Sequence, residues 1–198
     1  SGNTTDTTVE ALIRNGSHVF SGGGKDVSLN ASDKSEISAD GGGVALVRAT
    51  GSSGAVSIGA SIAINDITSH VRAAIDGSRV GSDKNLLLTA KSEASIFALT
   101  IALAATNTSG GDSTGSSAFN FSLAGAFSKN HVESHIESTI ANSAGALNIT
   151  TANGGKVKLD AEDQSSINAD AGGAALSLSQ SQRDEIKGDI AAAITINS

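Results

Sequence analysis

Apolar and polar residues alternate with a period of two through most of the chain. Val27-x-Leu29-x-Ala31, Leu86-x-Leu88-x-Ala90 and Val157-x-Leu159-x-Ala161 share this spacing. In each case the last Ala is followed six residues later by Ile (Ile37, Ile96, Ile167) and two residues after that by Ala39, Ala98 and Ala169. A period of two sends successive side chains to opposite faces, so these blocks predict β-strands with Leu, Ala and Ile turned inward. Asp, Lys, Glu, Gln and Ser fill the outward positions. The one segment that would tolerate a helix, RDEIKGDIAAAI, still alternates at Ile190, Ala192, Ile194 and Ile196.

The same pattern recurs at long range. Asn3, Asn65 and Asn130 each lie ten residues before an Ile (Ile13, Ile75, Ile140) and six before Val9, Val71 and Ile136. Alternating runs precede the later asparagines: Val56 to Ile64 before Asn65, Phe121 to Phe127 before Asn130, and Ile190 to Ile196 before Asn197. The chain therefore divides into repeats at residues 3–64, 65–129 and 130–196, with Asn197 where a fourth would start. Asn3, Asn65, Asn130 and Asn197 become structural repeat positions. Each is expected to bond backbone at a bend joining a closing strand to the next opening strand. Length differences between copies fall in Gly/Ser-rich stretches, which predicts surface loops. Thr108, Asp112 and Ser113 in one such stretch, and Gln182, Arg183 and Asp184 in another, are the candidate binding-loop residues.

A strand-only repeat of this length predicts an all-β fold, a parallel β-helix or β-solenoid forming one continuous stack. Dividing each repeat into roughly three coils of about 20 residues gives about nine rungs and a rod on the order of 40 to 45 Å long. The alternative reads Val44 to Ile64 as a hairpin, giving stacked antiparallel hairpins or a sandwich. No capping helix is evident, so the chain is expected to be a fragment of a longer array that associates end to end.

Composition agrees with layered packing of small residues. Cys, Met, Trp, Tyr and Pro are absent, Phe is the only aromatic, and 38% of residues are hydrophobic. A formal net charge of −7 argues against a nucleic-acid partner and against attraction to anionic lipid. The longest apolar run, Ala94 to Ala105, is too short for a membrane-spanning helix.

The pattern carried by Val71, Ala73, Ile75, Ser78, Val80, Leu88, Ala90, Ser95, Ile96 and Ala98, with Gly172-Gly173 and Ser61 to Asn65, resembles tandem repeats of very large bacterial surface proteins. These are filamentous-haemagglutinin-like adhesins and leukotoxin-type filamentous adhesins. The resemblance implies extracellular placement at the bacterial cell surface, a right-handed parallel β-solenoid shaft and a mechanical or adhesive role. It supplies no catalytic residue. Partners on this reading are neighbouring repeats, further copies end to end, and a host or environmental glycan or protein.

Candidate chemistry is sparse. His131 and His135 flank Glu133 on one strand face and are the nearest approach to a metal site, weighed against a plain polar face. Acidic residues Asp33, Glu36, Asp40, Glu93, Asp160, Glu162, Asp163 and Asp170 are expected to face solvent. They leave room for loosely held calcium, and no other cofactor is expected. Asp160, Asp163, Lys156 and Lys158 are the only cluster suited to polysaccharide cleavage, and they occur in one copy. The expectation is a non-catalytic shaft module, with a loop-based binding module second and a polysaccharide-processing enzyme third.

Overall fold

The computed structural model describes residues 1–50, 54–109, 119–141, 149–180 and 186–198. Among them there is no helix, and thirteen strands follow one another. Repeat 1 contains β1 (Gly2–Ile13), β2 (His18–Phe20), β3 (Val27–Asp33) and β4 (Glu36–Thr50). Repeat 2 continues through β5 (Ala55–Asp76), β6 (Arg79–Ser82), β7 (Leu86–Ser92) and β8 (Ser95–Ser109). Then come β9 (Phe119–Ala141), β10 (Ile149–Thr151), β11 (Val157–Asp163), β12 (Ser166–Gln180) and β13 (Ile186–Asn197).

Every pairing is parallel, and each strand pairs with its counterpart one repeat away. The sheets run β1-β5-β9-β13, β10-β6-β2, β11-β7-β3 and β12-β8-β4. Val27 aligns with Leu86 and Val157, Ile37 with Ile96 and Ile167, and Val9 with Val71 and Ile136. The fold is thus an all-β parallel stack of the β-solenoid kind. Consecutive β4 and β5 belong to different sheets, so Val44 to Ile64 is an arch between two sheets and not a hairpin.

The rung size differs from the expected 20 residues. Asn3, Asn65, Asn130 and Asn197 are successive register partners, so one rung is a whole repeat, with steps of 62, 65 and 67 residues. Four stacked strands at about 4.8 Å span about 14 Å, not the 40 to 45 Å of a nine-rung rod. Each rung is broad because it carries a strand of 12 to 23 residues (β1, β5 or β9), a short strand of 3 or 4 (β2, β6 or β10), one of 7 (β3, β7 or β11) and one of 15 (β4, β8 or β12).

Two kinds of interior run across a rung. Toward one side, β5 residues Val71, Ala73 and Ile75 pack on Leu86, Leu88 and Ala90 of β7, on Val27, Leu29 and Ala31 of β3, and on Val80 of β6. Ile37, Ile67, Ala94 and Ile96 continue this core. Burial of each Ile or Leu contributes roughly 1.5–3 kcal/mol. Tight turns shape this end: Asn15-Gly16 and Asn153-Gly154 all have positive φ, 63° and 71° in the first pair and 52° and 72° in the second. Asn tolerates that region because its short polar side chain bonds locally, and Gly has no Cβ to clash.

Toward the other side the rung is a two-layer wing of β4, β8 and β12 against β5, β9 and β13. Its interior is Ala102, Ala104, Ala124 and Ala126, with Ser57, Thr106, Thr108, Asn120, Ser122 and Ser177. A Cβ on Gly43 would lie 2.0 Å from the Ala60 carbonyl oxygen, so Gly permits the two backbones to approach. The large residues of this wing face outward. Val56, Ile58, Ile62 and Ile64, which alternate as a core strand would, are 48–61% exposed. A period of two cannot say which set is inside; here sheet separation decides, because the close approach of the two layers favours Ala, Gly, Ser and Thr, with Asn120 and the half-buried Val47 the larger side chains admitted.

Candidate functional site

The four repeat-position asparagines form one column. Asn3 Nδ2 donates to Asn65 Oδ1 at 2.8 Å, Asn65 Nδ2 to Asn130 Oδ1 at 2.7 Å, and Asn130 Nδ2 to Asn197 Oδ1 at 3.0 Å. Asn65 and Asn130 are fully buried. Their partners are other amides, with Ser128 Oγ also accepting from Asn130 Nδ2 at 3.0 Å, and not the backbone of a bend: Asn65 lies in the middle of β5, which continues unbroken from closing to opening segment. An amide carries both donor and acceptor, so identical residues in parallel register can bond repeatedly along the stack. The column sits where the Ala-lined wing meets the Ile/Leu core.

A second polar cluster marks the corner between β3 and β4. Asp33 was expected in solvent, but the alternation of β3 turns it inward, and it is 5% exposed. Its carboxylate accepts hydrogen bonds from Ser35 at 2.8 Å and Ser69 at 2.6 Å, which offset the cost of burial. In the other rungs the same position holds Ser92, whose hydroxyl meets Ser134 and Ser165 at 3.3 and 3.4 Å, and Asp163, which accepts from Ser165.

The remaining acidic groups form local ion pairs or face solvent. Glu93 joins Lys34 at 2.6 Å and Lys91 at 2.5 Å, and these hydrogen bonds lower its pKa to about 2. Lys158 pairs with Asp160 at 2.8 Å, and that bond raises the Lys158 pKa. Their strand, β11, is exposed at every position but the half-buried Asp160, and Asp163 is occupied by Ser165.

His135 Nε2 lies 3.0 Å and His131 Nε2 3.8 Å from Glu133, so both rings lean on one carboxylate. His135 also stacks on His70 at 4.8 Å, its register partner. Next to them Arg72 pairs with Glu137 at 2.9 Å. Among the described residues no group of three His, Cys, Asp or Glu side chains is disposed to hold a metal.

Of the loop candidates, Asp112, Ser113, Gln182, Arg183 and Asp184 lie outside the described residues. Thr108 belongs to β8 and not to a loop: it is 3% exposed and accepts a 2.7 Å hydrogen bond from Asn120 Nδ2. Polar composition suggested a loop from Thr106, yet Thr106 and Thr108 face the wing interior, where Thr106 meets Ser122 and Ser177. The strand ends Thr50, Ser109 and Gln180 are register partners, so β4, β8 and β12 end level with one another.

No family model, curated protein or solved structure matches the chain.

Proposed function

We propose that the chain is a non-catalytic structural module, three repeats of the shaft of a large secreted or surface-anchored bacterial adhesin. The observation that carries this reading is the residue-for-residue register of every repeat on the next, continued through the amide column. Such stacking extends by adding rungs and needs no other element. The outermost strands of each sheet have a neighbour on one side only among the described residues. Asn3 at one end has an amide oxygen to offer and Asn197 at the other an amide N–H, so a further repeat, in the same chain or in another copy, would continue the column.

The test is extension of a tethered tandem array by force. A shaft of one-repeat rungs should yield a sawtooth, each step freeing 62–67 residues, or about 200–240 Å of extended chain. Release of all three repeats in one step, or gradual lengthening at negligible force, would contradict a load-bearing role.

A second reading has one observation in its favour. The strands β4, β8 and β12 end level at Thr50, Ser109 and Gln180, and the sequence that follows each differs in length between repeats, which suits display of a glycan- or protein-binding surface. Glycan-array binding that disappears when residues 110–117 are replaced by Gly and Ser would support it, and unchanged binding would oppose it.

A further inference from the structure

Both outer faces of the wing are apolar. On the β5-β9-β13 side, Ile58, Leu123 and Ile190 form one row across the rungs, and Ile62, Phe127 and Ile194 another. Between these ridges runs a hollow of Ala60, Gly125 and Ala192, and a Cβ on Gly125 would meet nothing within 4 Å. On the β4-β8-β12 side, Leu99, Ile101 and Leu103 project from the central rung, with Val44, Leu46, Leu176 and Leu178 on its neighbours. There the open positions are Gly42 and Gly172, flanking Ile101.

We propose that these faces dock a second copy of this chain, with the β4-β8-β12 face of one copy lying on the β5-β9-β13 face of the next. Related by simple translation across the wing, the two faces interlock at two rows, while at a third Leu46 and Leu176 meet the Ile58 and Ile190 ridge in apolar contact. Gly43 packs on Ala60, so Val44 and its register partner Leu103 stand at the level of the Ala60-Gly125-Ala192 hollow. Gly41 packs on Ser61 and Ile62, which sets the Ile62 and Ile194 ridge opposite the gaps at Gly42 and Gly172.

They match in charge as well. Lys129 lies two residues beyond Phe127 on one face, while Asp40 and Asp170 flank Leu99 on the other at nearly the same level. None of the three has an ion-pair partner among the described residues, and all are exposed. Translation brings Lys129 between the two aspartates of the neighbouring copy. The alternatives juxtapose like charges: two β5-β9-β13 faces in the same direction bring Lys129 to Lys129, and two β4-β8-β12 faces bring Asp to Asp.

The exposed apolar area of one face is on the order of the ~800 Å² per partner of a standard interface. A lipid interior is the other medium that could cover both faces. It would leave the edge N–H and C=O groups of β4 and β12 unsatisfied, whereas water solvates them beside a docked copy. Because the two faces differ, the contact is heterologous and open, and it can repeat. It is lateral and so separate from the end-to-end continuation proposed above.

Sedimentation equilibrium of the full chain tests the contact through charge exchange. The wild type should self-associate, while Lys129→Glu alone and Asp40→Lys with Asp170→Lys should each associate about tenfold or more weakly with unchanged circular dichroism. An equimolar mixture of the two variants should recover wild-type association. A monomeric wild type, or association that neither variant weakens, which end-to-end contact would give, overturns the proposal. Flotation with neutral phosphatidylcholine vesicles, insensitive to both variants, overturns it in favour of lipid. If a charge variant fails to fold, Leu103→Cys mixed with Ala60→Cys replaces it, since the native chain has no Cys. The mixture should cross-link between copies and Leu103→Cys alone should not; the reverse overturns the proposal.

Discussion

At the scale of single residues, the repeat-position asparagines inside the stack are held by partners one rung away. Asn65 is bonded on both sides, to Asn3 and to Asn130. Asn65→Ala would leave the buried Asn130 and the half-buried Asn3 each short of a partner, and urea unfolding should show a loss of about 1–3 kcal/mol. Asn65→Asp keeps the shape but removes the donor toward Asn130 and should also destabilise. Glu93 gives a prediction for pH. Its folded pKa of about 2 lies below its ordinary value of 4.5, so its contribution is present above about 4.5 and is lost as pH falls toward 2. Carboxyl NMR should find Glu93 still ionised at pH 3.5, and replacing Lys34 and Lys91 with Met should return its midpoint to the ordinary range.

At the scale of elements, strand type and register were legible because identical apolar offsets recur: Val27, Leu86 and Val157 stack as their spacing requires. What alternation cannot encode is the side that becomes interior when a strand carries large residues on one face and Ala, Ser and Gly on the other. The run from Val56 to Ile64 resembles a core strand, but the close approach at Gly43 and Ala60 favours the small set. Asn65 had a visible repeat position, yet its donor and acceptor pointed equally to backbone or to another amide; only knowing that one repeat makes one rung selects the latter. Thr108 was misplaced because Thr and Ser usually mark loops, and here they line an interior that favours small residues.

Substitutions separate these environments. Gly43→Ala should cost about 1–3 kcal/mol by forcing the two layers apart, while Gly42→Ala, which meets open space, should change stability by no more than about 0.5 kcal/mol. Leu88→Ala in the buried central rung should cost about 2–5 kcal/mol. Leu159→Ala at the same position of the outer rung, where the side chain is 44% exposed, should cost clearly less in the same thermal or urea assay.

At the scale of the whole molecule, the stack is short and broad. Everything proposed for it, load bearing by rungs, end-to-end continuation and lateral docking of wings, depends on one repeat forming one turn. Nitroxide labels placed on Thr68→Cys and Glu133→Cys report that directly, since these positions are register partners on adjacent strands. Electron paramagnetic resonance should give the strong dipolar broadening of backbones about 5 Å apart. A separation of about 14 Å, as three short coils per repeat would impose, would contradict the account.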